Sequence, residues 1–570
     1  MTVAVSHGMT SYNPDTAFGS ATPSNASIFA ATNSSFASYD ETPSLVQNES
    51  FGSYEVVSTQ PLVVTYTVRD GIRWSDGTPI DAADLLLAWA ANSTSLNEPE
   101  FDPTEFIDEA TGKFTNDFPS DVAYFDGFTG NGLQLVSQTP AIGDDGRSIT
   151  MTFDEYFADW ELVFDIGLPA HVVAGEALRI TEPQEAKDAL VAAIEDGDNR
   201  ALAAISQFWN TGFNLGDEGI DPGLLVGSGP YVVSAVTPGE QVTLTVNPEY
   251  RGEQLPYFEE VVVRIISDPL QAVAALDAGE VDIIAPQATE DVIAALDGQG
   301  DAEVDHAFSG TWERLDLQFV DSKSGFVEDE LVRRAFLHTV PRQDILSSLI
   351  HPISPEAEVR DSHVFLPGAE GYGGSVKANG SRDYAQVDIA EAKRLLAEAA
   401  QGSPNLGTPT VCLLFDPANP RRVAEFQLIT DSAAKAGISV TNCSSPDWRN
   451  LLGTPNSYDA ALYALRETNL AVSAVRASFA SDSELNNHAR YSSPAADALV
   501  ADALAPASAA ERRELLAGLD EQLWGDAVGI PLYQFPAITV TSGQVTGVAQ
   551  SPFARTVLWN PWRWKPVTAD

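Results

Sequence analysis

Side chains able to do chemistry are plentiful in this chain, but their spacing builds no catalytic set. With 81 Asp and Glu residues, acidic pairs recur throughout, and none stands out as an acid and its base. The seven His form no HExxH or HxH pair, the spacings that put two imidazoles on one metal. Cys412 and Cys443 are too few for a four-sulfur zinc site. Neither has a His close in sequence to activate it as a nucleophile. There is no GxSxG elbow; Ser228 lies in Gly227-Ser228-Gly229-Pro230, one residue into a turn. That glycine-rich stretch also lacks the Lys-Ser/Thr and the helix of a phosphate loop. The expectation is a binding protein rather than an enzyme, with no cofactor and no metal. The alternative is a secreted hydrolase whose site is assembled from distant segments.

The elements that must position any site come from 570 residues, enough for about three or four core-sized units. Hydrophobic residues make up 44% and charged residues 20%, a globular balance. No apolar run approaches the roughly 18 residues that span a bilayer; LLVGSGPYVV and EEVVVRII are strand-sized. The formal net charge of -50 is spread along the chain, without a Lys/Arg block, which argues against nucleic-acid binding. Such a field favours solubility and repels anions at long range, but does not set the charge of a local site. The opening MTVAVSHGMTSYNPD lacks the charged-then-apolar pattern of a signal peptide, as in a cytoplasmic protein or one whose leader has been removed.

Patterning along the chain alternates strands and helices. Residues 10 to 40 are rich in Ser, Thr, Asn and Ala, with Tyr12, Phe18, Phe29 and Phe36 interleaved, and read as an ordered, loop-rich segment. In YTVRDGIRWSDGTPIDAADL (66–85), a strand with Val64, Tyr66 and Val68 on one face turns at Asp70-Gly71. It turns again at Ser75-Asp76-Gly77 and leads into a helix after Asp81. A second helix starts at LPAHVVAG, and EAKDALVAAIEDGDNRALAAISQFW reads as one helical stretch. A hairpin turns at Pro238-Gly239, and 261–284 reads as strand, helix, strand with a turn at Ala278-Gly279. Cys412 and Cys443 sit in strand-like runs with a helix between them, an arrangement typical of parallel neighbours. A disulfide and two buried thiols are both compatible with that placement.

These motifs follow one another in the order of a known family. The 66–85 block, Gly227-Ser228-Gly229-Pro230-Tyr231 with Asn247-Pro248-Glu249-Tyr250, and the Gly279-Glu280-Val281-Asp282 turn resemble the family 5 extracellular solute-binding proteins. So do Val332-Arg333-Arg334-Ala335-Phe336 with Pro341-Arg342 (Pro341 replacing the usual Asp), Ala392-Lys393-Arg394-Leu395-Leu396, Gly437-Ile438 and Ile530-Pro531-Leu532-Tyr533. The closing VLWNPWRW is similar as well. The resemblance implies an α/β fold of the two-lobed periplasmic-binding-protein kind, with a hinge and ligand capture in an interlobe cleft. An N-terminal lobe would hold about 1–306, with an inserted subdomain at about 45–222. A second lobe would hold 307–538, and 539–570 would return to the first. It also implies an extracytoplasmic, monomeric capture subunit that serves an ATP-driven permease and is held to the membrane by an upstream lipid anchor. A ligand sensor feeding a membrane receptor is the alternative role.

By the same resemblance, ligand contacts fall on Phe18, Gly19 and Ser20, on Ala285, Pro286 and Gln287, and on Trp448, with a core role for Trp448 equally open. Peptide binders of the family read Y-D-x-x-x-x-G-W-x-x-D-Y-x-D-P, with the Asp taking the peptide ammonium. Here Tyr458-Asp459 is kept, Leu465 stands at the Trp position and Thr468 at the Asp position, and the D-P pair is absent. Glu467 or Asn469 would substitute only by a one-residue shift, which reverses a strand side chain. Thr468 beside Arg466 suits a ligand without a free ammonium there: an amide, a hydrazide-like or aromatic acyl compound, a sugar or a capped peptide. Nickel, which the family captures through His or chelator-binding Arg, is disfavoured, because no His lies in the matched segments.

Overall fold

The computed structural model describes residues 1–108, 113–115, 117–127, 132–300, 302–402, 407–466, 470–553 and 556–567. Strand β1 (Thr2–Val5) is followed by helix α1 (Pro23–Thr32), inside the segment whose composition suggests loop. Pro23 fits the first helical turn, where no N–H is needed. The helix buries Ser24, Asn25, Ser27 and Thr32 beside Ile28 and Ala31. Its polar face is spent on neighbouring loops: Asn25 Oδ1 accepts the Thr10 N–H at 2.8 Å and its Nδ2 donates to Gly19 O at 2.8 Å. An apolar stripe is therefore missing, and hydrophobic periodicity does not reveal this helix.

Strands β2 (Gly52–Thr59) and β3 (Leu62–Val68) pair antiparallel, and β3 buries Leu62, Val64, Tyr66 and Val68 on one face. Helix α2 (Ala82–Ser93) starts at Asp81, whose side chain accepts the Ala83 N–H. The centre of the 66–85 block is Asp84, which is fully buried. It accepts the Trp74 indole N–H at 3.2 Å, the Asp81 N–H at 3.0 Å, the Ala170 N–H at 2.9 Å and the Lys187 ammonium at 2.6 Å. One carboxylate thus joins the turn, the start of α2 and two later helices. Burial lowers the tendency of Lys187 to stay protonated, but Asp84 and Asp81 outweigh it, and the net shift is upward.

Strand β4 (Ser148–Thr152) completes this antiparallel sheet together with the short strand Ala141–Ile142. Helices α3 (Ala170–Leu178), α4 (Pro183–Asp196) and α5 (Asn199–Thr211) follow. The stretch expected as one helix is two, because Gly197 takes φ +64° and Asp198 then caps α5. Strands β5 (Tyr231–Thr237) and β6 (Gln241–Val246) form the hairpin, and β7 (Glu260–Ile265), α6 (Pro269–Asp277) and β8 (Ile283–Ile284) the crossover. β1 lies parallel to both β7 and β8.

Two compact units divide the chain. The first comprises 1–41, 45–305 and 538–570; the second comprises 42–44 and 306–537. The chain passes from the first to the second within β9 (Glu303–Leu317). Unit 2 continues with α7 (Glu330–Leu337), α8 (Ile389–Gly402), β10 (Thr410–Leu414), α9 (Pro420–Ala434), β11 (Ser439–Asn442) and β12 (Ala460–Arg466). The return passes within β13 (Gly529–Thr541). The strand order in unit 2 is β11-β10-β12-β9-β13, with β10 parallel to β11 and β12, and β12 antiparallel to β9. In unit 1 the order is β13-β8-β1-β7-β6-β5. Cys412 and Cys443 form a disulfide across β10 and the end of β11, with Cα atoms 5.5 Å apart.

Two stability measurements check these contacts. Lys187→Met leaves Asp84 buried without its counter-ion and is expected to cost about 3–5 kcal/mol in urea unfolding; a loss below about 1 kcal/mol means that the neutral donors suffice. The disulfide closes a 31-residue separation, so Cys412→Ser with Cys443→Ser is expected to lose about 3–4 kcal/mol, seen also as a reductant-dependent fall in Tm of the wild type.

Candidate functional site

Parallel strands in an α/β sheet present their ligand-binding loops beyond their carboxyl ends. In unit 2 those ends are Leu414 of β10, Asn442 of β11 and Arg466 of β12. Because β9 runs antiparallel, its register sets Thr311 opposite Arg466, Trp312 opposite Leu465 and Arg314 opposite Tyr463. An open groove of about 440 Å³ lies at the same edge, lined among others by Phe415, Pro417, Pro420, Phe426 and Asn442.

Strand alternation puts Trp312, Arg314 and Asp316 on one face of β9 and Glu313 on the other. Arg314 Nε donates to Asp316 Oδ1 at 2.7 Å, and the Tyr463 hydroxyl donates to Asp316 Oδ2 at 2.5 Å. The Arg314 guanidinium carbon is 4.8 Å from the Trp312 ring centre, and that of Arg360 is 3.9 Å from it. Arg360 Nε donates to Ser362 O and its Nη1 to Gln534 Oε1. His363, wholly buried beside them, is held well below the usual imidazole pKa by burial, then by Arg314, Arg360 and Arg342. On the opposite face, Arg422 binds Glu313 with two bonds of 2.7 and 3.2 Å, and Arg421 lies 3.5 Å from it. Glu425 hydrogen-bonds the Tyr533 hydroxyl.

Planar guanidinium groups layered on aromatic rings suit carboxylate and amide groups; Trp312, Arg314 and Arg360 are buried and bonded within the protein, whereas 28% of the Arg421 side chain is exposed. They do not supply a nucleophile. Among the described residues, no group of three or more His, Cys, Asp or Glu is placed to hold a metal. A His–Asp pair does occur in unit 1, where His171 Nε2 and Asp76 Oδ2 are 2.7 Å apart beside a groove of about 490 Å³. Burial acts to raise the Asp76 pKa, but the bond to His171 prevails and lowers it to about 2. The adjacent Ser75 Oγ accepts the Gly227 N–H.

The residues expected from sequence fall into two groups. In unit 1, Phe18, Gly19 and Ser20 lie in one helical turn, Ala17–Ser20. Phe18 is half-buried, with Lys113 Nζ 4.8 Å from its ring centre. Gly19 has no room for a side chain, because a Cβ there would lie 1.9 Å from Asn13 O. Gln287 is exposed, past the carboxyl end of β8. In unit 2, Leu465 and Arg466 end β12, opposite Trp312 and Thr311. Glu467, Thr468 and Asn469 lie outside the described residues. Trp448 is buried against Leu414, Tyr458, Ala461 and Tyr463, with Arg422 and Arg449 at 5.1 and 4.7 Å from its ring. The sequence reading missed Trp312, Arg314, Arg360 and Arg421. Thr311-Trp312-Glu313-Arg314-Leu315-Asp316-Leu317 carries a signal, since charges alternating with large apolar residues in a strand need partners on both faces. For Arg360 and Arg421 the sequence offers none.

Comparison with known proteins bears on the family and the fold. Residues 46–494 match the model of the bacterial extracellular solute-binding proteins, family 5 Middle. An uncharacterized lipoprotein of Mycobacterium tuberculosis is 25% identical over 591 residues, covering 98% of this chain and 92% of the relative. The oligopeptide-binding protein OppA of Mycobacterium tuberculosis is 22% identical over 514 residues, covering 88% and 75%. Among solved structures, the periplasmic EDTA-binding protein EppA shares the fold with a TM-score of 0.71 at 24% identity, covering 100% of this chain and 96% of its own. The matched family model spans most of the chain, and the chain belongs to the bacterial extracellular solute-binding proteins of family 5.

Proposed function

We propose that this protein captures peptides or peptide-like small molecules outside the cytoplasm for an ATP-driven importer. It acts as a monomer held near its permease by a lipid anchor that precedes this chain, and it releases the ligand unchanged. The observation that carries this reading is the carboxyl edge of the unit 2 sheet. There Trp312, Arg314 and Tyr463 stand beside Leu465 and Arg466, which end β12 within the stretch 458–479 that the family resemblance assigns to ligand contact. The relative named for oligopeptide binding supports a peptide. Thr468, where peptide binders carry the ammonium-binding Asp, favours ligands without a free amine at that point, such as amides, hydrazide-like or aromatic acyl compounds and capped peptides. The neighbour named for EDTA binding is a fold-level parallel for a ligand rich in carboxylates.

Native mass spectrometry followed by denaturing release tests the reading. A co-purified peptide or peptide-like mass is expected, and the released compound, added back at about 100 times its Kd, is expected to stabilise the protein by about 2.7 kcal/mol. An empty protein whose Tm no peptide, amide or acyl compound raises would overturn it. Thr468→Asp is expected to shift preference toward peptides with a free amino terminus by about tenfold or more, the scale of a charge-assisted bond. Unchanged preference means that the ammonium is not read at that position.

A further inference from the structure

Arg421, in the first turn of α9, has a loosely held side chain at a tightly built site. Its Nη2 is 3.5 Å from Glu313 Oε2 and its Nε 3.6 Å from Glu425 Oε1, within ion-pair range but beyond good hydrogen bonds. Neither its Nε nor Glu425 Oε2, both buried, has a hydrogen-bond partner. The guanidinium carbon lies 4.3 Å from the Phe535 ring centre, and 28% of the side chain is exposed. Arg422, by contrast, is buried and bonded to Glu313 through two nitrogens.

Glu313 and Glu425 are both fully buried. Two such carboxylates do not both stay charged beside one firmly bonded guanidinium. Burial, then Glu313, push the Glu425 carboxyl up to about 8, against the pull of Arg421. The groups facing Glu425 are Glu313 from β9, Tyr533 from β13, and Arg421 and Arg422 from its own helix. The helical turn Arg342–Ile345 packed on α9 adds Arg342, paired with Asp361, and the exposed Asp344. β11 adds no titratable side chain.

We propose that Arg421 is a movable receptor for an anionic group of the captured ligand, and that Glu425 stays neutral beside it, so that capture of an anion weakens once Glu425 gives up its proton. The proposal rests on the capture function above. The ligand carboxylate takes the place beside Arg421 that an ionised Glu425 would hold; at neutral pH Glu425 already carries its proton, above about pH 8 one proton from solvent must neutralise it first, and the Tyr533 hydroxyl stays bonded to it throughout. The stacked position over Phe535 lets the guanidinium swing while keeping its contact with an aromatic face.

The test compares wild type, Arg421→Gln and Glu425→Gln by calorimetry at pH 7 and pH 9. The probes are N-acetyl-trialanine, its carboxamide and citrate, none of which carries an amine that titrates in this range. At least one acid probe is expected to bind the wild type and to weaken by up to about tenfold at pH 9, the most that one linked proton released near pH 8 allows. Glu425→Gln is expected to abolish that weakening, and Arg421→Gln to abolish the preference for acid over carboxamide. Binding of the peptide acid alone places the anion at a peptide terminus; binding of citrate alone places it on a non-peptide.

Equal binding of acid and carboxamide, or the same pH dependence in Glu425→Gln, overturns the proposal and leaves capture standing. The same holds if no probe binds while mass spectrometry releases a ligand; failure of both removes the capture reading as well. Without any probe, wild-type stability is expected to fall as pH rises from 4.5 through 8, because folded Glu425 keeps a proton that the unfolded chain gives up. Glu425→Gln lessens that fall, with Asp165, which burial also pushes up to about 8, keeping its own share, and a pH-independent difference between the two proteins counts against the coupling.

Discussion

Strand β9 buries three charged side chains in four residues, and the construction of unit 2 follows from neutralising them. Glu313, Arg314 and Asp316 are each almost inaccessible. A buried charge left unpaired costs several kcal/mol, so each must find a partner on its own face. Strand alternation sends Glu313 one way, to Arg422 and Arg421 on α9, and Arg314 and Asp316 the other, where they pair with each other and with Tyr463 on β12. A register slip of one residue would exchange the two sets and strand all three charges. The pairing of β9 with β12 is thus specified by electrostatics as well as by apolar burial.

The same requirement concentrates guanidinium groups where the parallel strands end. A chain with a net charge of -50 presents a repulsive field to anions at a distance. That field is screened over about 8 Å in physiological salt. Within that range local groups decide, and at this edge Arg314, Arg360, Arg421 and Arg422 are layered with Trp312, Trp448 and Phe535, Arg421 alone among these four arginines being more than marginally exposed. Global charge therefore does not set the local charge at this edge. The arrangement is suited to holding a molecule, and membership of a family of capture proteins accords with it.

In unit 1 one carboxylate performs a comparable organising task without any ligand chemistry. Asp84 gathers Trp74, the first turn of α2, the start of α3 and Lys187 of α4. This is the physical content of the 66–85 motif. The Trp, the turn and the helix-capping acid belong together because each supplies a donor to, or a position for, the same buried group.

The sequence alone determined the class of the protein, since short-range patterns are written in consecutive residues. The alternation of Val64, Tyr66 and Val68, the Asp81 cap, the Pro238-Gly239 hairpin and the strand-helix-strand of 261–284 all depend on neighbours within a few positions. The polar helix α1 and the break at Gly197 were less legible, one because its polar face serves distant loops, the other because a single left-handed residue interrupts an otherwise continuous pattern. Only the tertiary structure decided which arginines stand at the edge of unit 2. Arg360 reaches Trp312 across 48 residues and Arg421 reaches Glu313 across 108, distances along the chain that no local pattern encodes. The disulfide was decided the same way, because two strands compatible with either thiols or a bridge had to be brought side by side before the sulfurs could meet.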